Sequence, residues 1–266
     1  MILYHFLKNK PINGTLFYCF EYFVFLNKYK DTEYWIYDIS ENQLNKIKNI
    51  FIERYDFDHK LLDKIKIARL KSFCNVPETC IILDNRTYRY LRSLIKTKVL
   101  WHNTESKVQG VFYPPKKDVD TTFGSYDYQD YEIYQHLQFN FEIYKKIDKS
   151  ENKIFISCPE RDIEETIKIL KEKNIFINRD NIYLKHSNHI SNTFERFNTF
   201  IYIHTTFFDR NHRMLIESFY YNKNIILIDD YKNDSVFIRY NELQEKGINY
   251  FNLTKENKLI KAYLDN

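Results

Sequence analysis

Short β-rich runs alternate with segments of helical period along most of this 266-residue chain. This alternation predicts parallel strands, because a parallel pair needs a crossover connection long enough to contain a helix. The first half has predicted strands at residues 2–6, 34–38, 64–68, 80–83 and 99–102, and predicted helices at 15–27, 41–51 and 86–95. The second half has predicted strands at 153–157, 181–184, 199–204 and 224–228, and predicted helices at 130–147, 160–173, 212–221 and 255–264. We therefore predict an α/β fold.

Residues 103–129 lose this periodicity and contain Gly110, Pro114, Pro115 and Gly124, the densest run of helix and strand breakers in the sequence. This run predicts a boundary between two Rossmann-like domains, residues 1–125 and 126–266. Such an arrangement places a cleft between the carboxyl ends of two parallel sheets, where nucleotides and sugars bind in folds of this kind.

Charge and cysteine spacing restrict the cell compartment and the partners. Residues 1–125 contain 20 Lys and Arg against 14 Asp and Glu, about +6, and residues 126–266 contain 20 against 22, about −2. An anionic partner is therefore expected at the first half. The four cysteines lack metal-site spacing, which favours reduced thiols in a cytoplasm, bacterial or phage-infected. The longest apolar stretch, residues 16–26, contains Glu21 and is too short to span a bilayer.

The most informative stretch is residues 199–230, where a predicted buried strand is followed by a loop with Asp209 and a helix with Glu217. Here the sequence resembles the C-terminal domain of glycosyltransferases of the GT-B fold, whose retaining members carry an acidic-x7-Glu motif in this setting. The resemblance implies that Asp209 contacts sugar hydroxyls and that Glu217 holds the nucleotide ribose. Carboxylates suit both tasks because they accept paired hydrogen bonds from vicinal hydroxyls. The alternative is an acid at a helix start and a solvated helix side chain.

Further residues match the same resemblance. Gly14 opens the first predicted helix, where a glycine-containing loop lets the backbone approach donor phosphates. His102 ends a strand of the first half, the place of a histidine that faces the donor sugar in retaining GT-B enzymes. Basic residues after second-half strands would neutralise the leaving diphosphate. These are Arg161 and Lys185, with Arg210 and Arg213 as competitors for the same role.

The resemblance implies an N-terminal acceptor-binding domain and a C-terminal nucleotide-sugar-binding domain. In the N-terminal domain, one face of a predicted helix contains Arg86, Arg89, Arg92 and Lys96. This face would suit contact with nucleic-acid phosphates, and the alternative is a solvated surface of the helix. Together with a composition typical of an AT-rich genome, this predicts a phage-type enzyme that glycosylates hydroxymethylated bases in DNA. A bacterial enzyme for a surface polysaccharide or lipid carrier is the second candidate. A non-catalytic nucleic-acid-binding protein is the third.

Two DxD strings, Asp56 to Asp58 and Asp118 to Asp120, resemble the metal motif of other glycosyltransferases. Neither follows an apolar strand, so we interpret both as solvated loop charges and predict no metal site. No cofactor is predicted beyond the nucleotide diphosphate sugar, which is the donor substrate.

Overall fold

The computed structural model describes residues 1–7, 14–69, 80–83, 87, 99–103, 121–124, 133–134, 138–157, 163–183, 194–204, 212–229 and 235–265, and it is an α/β structure. The strands are β1 Ile2–Phe6, β2 Glu33–Tyr37, β3 Ile65–Ala68, β4 Cys80–Ile82, β5 Val99–Asn103, β6 Thr121–Gly124, β7 Ile133–Tyr134, β8 Ile154–Ser157, β9 Ile182–Tyr183, β10 Thr199–His204 and β11 Asn224–Asp229. The α-helices are α1 Gly14–Leu26, α2 Glu41–Arg54, α3 Ile163–Glu172, α4 His212–Tyr220, α5 Ser235–Lys246 and α6 Lys258–Asp265. All nine predicted strands are confirmed to within two residues at each end.

The chain divides into two compact units. The first unit contains residues 1–144 and 251–266, and the second contains residues 145–250. This division differs from the predicted one after residue 125. The reason is non-local pairing: β6 and β7 extend the sheet of the first unit, and the backbone of Phe139 exchanges hydrogen bonds with Phe251 and Leu253.

The first unit contains a seven-stranded sheet in the order β3-β2-β1-β4-β5-β6-β7, and all of its pairs are parallel. The chain moves outward from β1 to β3 and then returns to the other side of β1 to form β4. The order of strands therefore reverses between β1 and β4. In open parallel sheets, a crevice opens beyond the carboxyl ends of the strands at such a reversal.

Helix α1 is the centre of the first unit's core, since every side chain from Leu16 to Leu26 is buried. A helix that is apolar around its whole circumference must be covered on all sides. Aromatic contacts supply part of this cover, including the stacked rings of Phe20 and Phe51, whose centroids are 3.8 Å apart. Such pairs contribute roughly 0.5–1.5 kcal/mol beyond the area that they bury.

Glu21 is the one charged residue within this buried helix, and its side chain is fully enclosed. Its Oε1 accepts hydrogen bonds from the hydroxyls of Tyr55 and Tyr144, and its Oε2 accepts one from the backbone N–H of Asn140 at 3.2 Å. A buried carboxylate is tolerated when its oxygens are hydrogen-bonded in this way. Glu21 therefore fixes the segment that contains Asn140 and Tyr144 against α1.

The second unit contains a four-stranded parallel sheet in the order β11-β10-β8-β9. One cluster of its core is aliphatic, with Ile156, Ile182, Ile201 and Ile228 from the four strands packing with Leu170 of α3. A second group is aromatic and contains Phe155, Phe197 and Phe200. Strands of a parallel sheet have nearly continuous hydrophobic sequences, because helices cover both faces of the sheet. Helix α4 packs against β10, β11 and α5.

The long helix predicted at residues 130–147 is wrong. Ile133 and Tyr134 form β7, and residues 138–150 contain one short 3-10 turn, Phe141–Ile143. Residues 138–141, Ile143 and Tyr144 are all buried, so the segment packs into the first unit without forming the predicted helix. The backbone bonds of Phe139 to Phe251 and Leu253 replace the bonds that a helix would make.

The described residues contain no helix that is both long and apolar enough to cross a membrane. Cys19 and Cys80 are buried and form no disulfide bond. The stretch 103–129, predicted to lack regular structure, contributes β6 to the first sheet, while residues 104–120 and 125–129 lie outside the described residues.

Candidate functional site

The predicted acidic-x7-Glu motif follows strand β10 and continues into helix α4, next to a reversal of strand order in the sheet of the second unit. The chain runs from β8 outward to β9 and then returns to the other side of β8 to form β10. Helix α4 begins at His212, after the carboxyl end of β10 at His204. By the rule for open parallel sheets, the start of α4 is therefore at the edge where ligands bind.

Glu217 lies on α4 with no solvent-exposed surface on its side chain. Its neighbours Met214, Leu215 and Ile216 are also buried. The carboxylate is paired with Arg213, whose Nε is 2.8 Å from Glu217 Oε1 and whose side chain is 11% exposed. The alternative prediction, a solvated helix side chain, is wrong for Glu217.

The order of this ion pair along α4 is unfavourable for a helix. Arg213 is in the first turn, where the partial positive charge of the helix end repels a cation, and the first turn contains no acidic residue. An acid that precedes a base by four residues stabilises a helix more than the reverse order. Burial of a charged pair also has a desolvation cost that can exceed the attraction between the charges. The order of the two residues along α4 therefore does not favour the stability of the helix.

Arg213 was predicted as one of two competing residues for the diphosphate, and its pairing with Glu217 was not predicted. The signal was present, because residues four apart lie on the same face of a helix. The sequence interpretation instead assigned the two residues to different parts of the donor, Glu217 to the ribose and Arg213 to the diphosphate.

The first unit places Gly14 and His102 at the carboxyl side of its sheet. Gly14 is the exposed first residue of α1, which follows β1 at the reversal between β1 and β4. His102 is the penultimate residue of β5 and is in register with Phe123 of β6. Both backbone positions match the sequence prediction, and the side chain of His102 lies outside the described part of the structure.

The remaining predicted site residues lie outside the described residues, so their predictions stand as made. They are Asp209, Arg210, Arg161 and Lys185 for the donor, and Arg86, Arg89, Arg92 and Lys96 for the acceptor.

Among the described residues, no group of three or more His, Cys, Asp or Glu side chains is arranged to hold a metal ion. Asp56 and Asp58 of the first DxD string are exposed. Asp58 caps a short 3-10 helix, His59–Lys64, by accepting a hydrogen bond from the Lys60 N–H at 3.0 Å. This capping role explains the second aspartate of that string without a metal. The second string, Asp118 to Asp120, is in the part of the chain that the structure does not describe.

Lys223, in the turn between α4 and β11, is a buried base of the second unit. Its ammonium donates hydrogen bonds to Ser150 Oγ and to the carbonyl of Phe194, and it lies 5.4 Å from the centroid of the Phe197 ring. Burial lowers the pKa of Lys223 to about 8, and the negative charge of Glu195 partly opposes this shift. A buried ammonium is harder to keep charged because it loses hydration.

No protein-family model, no curated protein and no solved structure matches this chain.

Proposed function

We propose that this chain is a metal-independent glycosyltransferase of the GT-B type, with one Rossmann-like domain in each unit. The single observation that supports it most is the buried carboxylate of Glu217, on the helix that follows β10 at the strand-order reversal of the second sheet. A ribose offers two vicinal hydroxyls to such a carboxylate. The reversal between β1 and β4 gives the first unit the strand order of a nucleotide-binding sheet as well.

In the proposed reaction, an acceptor hydroxyl oxygen attacks the anomeric carbon of the donor sugar. The bond from that carbon to the nucleoside diphosphate breaks, and the hydroxyl proton is released. Asp209 orients the sugar, Glu217 binds the ribose, and Arg161, Lys185 or Arg210 stabilises the negative charge that develops on the leaving diphosphate. The sugar is transferred with retention of configuration, as the acidic-x7-Glu resemblance implies.

For the acceptor, we propose the hydroxymethylated base of DNA. The first unit, residues 1–144 and 251–266, contains 23 Lys and Arg against 20 Asp and Glu, a net charge of about +3 that is concentrated in residues 1–125. This charge supports an anionic acceptor at the first unit, because a positive field attracts a polyanion. A neutral polysaccharide would gain nothing from that field.

Binding of donor to a Glu217→Gln variant tests the donor site. Glutamine keeps the size of the side chain but removes its charge, so affinity for nucleotide sugars should fall about tenfold or more, the effect of losing charge-assisted hydrogen bonds. The matched control is Glu245→Gln, an exposed residue of α5 in the same unit.

Calorimetric titration with a panel of nucleotide sugars gives the affinities, and thermal unfolding shows whether each variant is folded. Two results would overturn the donor assignment. One is wild-type protein that binds no nucleotide sugar, and the other is a folded Glu217→Gln variant that binds as tightly as wild type.

A further inference from the structure

The proposed function assigns no ribose to the first unit, although the sheet of that unit has the strand order of a dinucleotide-binding sheet. Its pairs are all parallel, and the order β3-β2-β1-β4-β5-β6 is the one in which dinucleotides bind beyond the strand ends, at the reversal between β1 and β4. In such sheets, an acid about 20 residues after the first strand-to-helix turn accepts a hydrogen bond from the ribose 2′-hydroxyl. Asp38 follows Gly14, the first residue of α1, by about this separation.

Asp38 directly follows β2 and lies beside the end of β1. Tyr37, the last residue of β2, is in register with Phe6 of β1, and the Leu7 N–H donates to the Tyr37 carbonyl at 3.3 Å. Neighbouring strands are about 5 Å apart, so Asp38 is about one strand spacing from the crevice beyond β1. Its side chain is exposed. A nucleotide lying across the ends of β1 and β2 would therefore bring its ribose to this carboxylate.

The usual structural role of an acid between a strand and a helix is to cap the helix, and here another residue has that role. Ser40 is the N-cap of α2: its Oγ accepts a hydrogen bond from the Gln43 N–H at 3.3 Å, and Gln43 Oε1 accepts one from the Ser40 N–H at 2.8 Å. Within the described residues, the carboxylate of Asp38 takes part in no hydrogen bond or ion pair. Both of its oxygens are therefore available to a ligand.

We propose that the first unit binds a nucleotide with a free ribose diol, and that Asp38 accepts the hydrogen bonds of the 2′- and 3′-hydroxyls. The inference goes beyond the proposed function and does not require it, because it assigns a second ribose site that is independent of Glu217. The two oxygens of a carboxylate can accept a paired set of hydrogen bonds from a vicinal diol. A 2′-phosphate would add a negative charge beside Asp38, and a 2′-deoxyribose would remove one donor. The site therefore selects against both.

The backbone at Asp38 determines which variants give a clean test. Asp38 has φ 62°, in the left-handed region that asparagine and aspartate tolerate better than most residues and that glycine adopts freely. Asp38→Asn therefore keeps the size of the side chain and the backbone conformation while it removes the charge. Asp38→Gly removes the side chain without backbone strain. Asp56→Asn is the matched control, because Asp56 is an exposed aspartate of the same unit that lies beyond the end of α2.

The experiment is a calorimetric titration of the full chain. The ligands are the 5′-diphosphates of adenosine, guanosine, cytidine and uridine, their 2′-deoxy counterparts, and the dinucleotides NAD and NADP. Glu217→Gln is titrated in parallel, because it changes the proposed donor site of the second unit and leaves the first unit intact. Thermal unfolding shows whether each variant is folded.

We expect at least one ribonucleotide to bind both wild-type protein and Glu217→Gln. Removal of its 2′-hydroxyl should weaken this binding about tenfold or more, and if NAD binds, NADP should bind less tightly. In Asp38→Asn and Asp38→Gly, affinity for the ribonucleotide should fall by a similar factor. The preference for ribose over deoxyribose should then largely disappear, because the group that recognises the diol is absent. Asp56→Asn should bind as wild type does.

Three results would overturn the inference. They are a wild-type protein that binds none of these nucleotides, binding that both folded Asp38 variants leave unchanged, and equal affinity of the wild-type protein for ribose and deoxyribose forms. Failure of the proposed function has a different signature, since nucleotide-sugar binding would then be unaffected by Glu217→Gln. A nucleotide sugar whose binding is weakened by Asp38→Asn but not by Glu217→Gln would support the site in the first unit and overturn the donor site in the second.

Discussion

At the scale of single residues, Lys223 connects the stability of the second unit to pH. The pKa of Lys223 is lowered to about 8 by burial, from an ordinary value of 10.5. Between these two values the unfolded chain holds a proton that the folded protein has lost. Since stability rises with pH wherever the unfolded state binds more protons, the free energy of unfolding should increase through this window.

Urea unfolding measured from about pH 7 to about pH 10 should show a contribution from Lys223 of about 1–2 kcal/mol, a figure reduced for partial access to solvent. Lys223→Met carries no titrating group and should lose this part of the pH dependence. Lys153→Met is the control, because the Lys153 side chain is 43% exposed, lies in the same unit and pairs with Glu151. A Lys223→Met profile parallel to that of wild type would contradict the lowered pKa.

Two buried acids show what residue-level reasoning could and could not predict. The sequence marks Glu217 because a charge falls among apolar helix residues, and the structure shows that its side chain is buried and forms an ion pair with Arg213, neither of which was predicted. Glu21 stands in the same kind of setting, yet its partners Tyr55, Asn140 and Tyr144 are 34 to 123 residues away in sequence. Contacts over such separations depend on tertiary structure and leave no local pattern.

At the scale of elements, three helices of the second unit end in residues with a left-handed backbone. Asn174 follows α3 with φ 59°, Asn222 follows α4 with φ 53°, and Gly247 follows α5 with φ 74°. The chain has only four glycines, and asparagine is the residue that best replaces glycine in this conformation. Helix α5 was missed by the sequence analysis although Gly247 is a recognisable stop signal after Val236, Tyr240 and Leu243 at helical spacing.

Gly247 allows the backbone conformation to be tested without a steric clash. Its N–H donates to the carbonyl of Leu243 at 3.0 Å, and a Cβ at Gly247 would meet no atom within 4 Å. Gly247→Ala should therefore lower the free energy of unfolding by about 1–2 kcal/mol through backbone strain alone. Gly247→Asn should cost less, because asparagine tolerates a positive φ.

Urea unfolding of both Gly247 variants measures the difference, and Asn222→Gly provides the reverse comparison. That variant should be at least as stable as wild type, since glycine adopts the same φ without strain. If Gly247→Ala and Gly247→Asn are equally stable, backbone conformation does not determine the end of α5.

At the scale of the whole molecule, the alternation of strands and helices was sufficient to predict an α/β chain and nine of the eleven strands in the described residues, with β6 and β7 missed. The division into units was not predictable from breaker residues. Residues 251–266 return to the first unit, where Leu253 bonds to Phe139 and the ring of Tyr263 contacts that of Tyr22. Such long-range returns are decided by packing, which a local periodicity does not report.

The acceptor proposal predicts a salt-dependent affinity for DNA. If Arg86, Arg89, Arg92 and Lys96 contact phosphates, the logarithm of the binding constant should fall with the logarithm of salt concentration by about 0.9 per contact. The triple variant Arg86→Ala, Arg89→Ala and Arg92→Ala should flatten this slope by about three units, with little change in sequence preference. Fluorescence anisotropy with duplex DNA measures the slope. Negligible affinity at about 50 mM salt, or an unchanged slope, would exclude this surface as a DNA contact and favour a saccharide acceptor.

The central claim is that the chain transfers a sugar from a nucleotide diphosphate donor without a metal ion. The most direct measurement is mass spectrometry of hydroxymethylcytosine DNA and of candidate saccharides, incubated with a nucleotide-sugar panel and EDTA. We expect one acceptor to gain the mass of the donor sugar, with a nucleoside diphosphate formed in equal amount. Glu217→Gln should form much less product, whereas Glu245→Gln should not differ from wild type. If no donor and acceptor give product, with or without Mg²⁺ or Mn²⁺, the chain does not transfer a sugar. If product forms only when one of these ions is added, the transfer is not metal-independent.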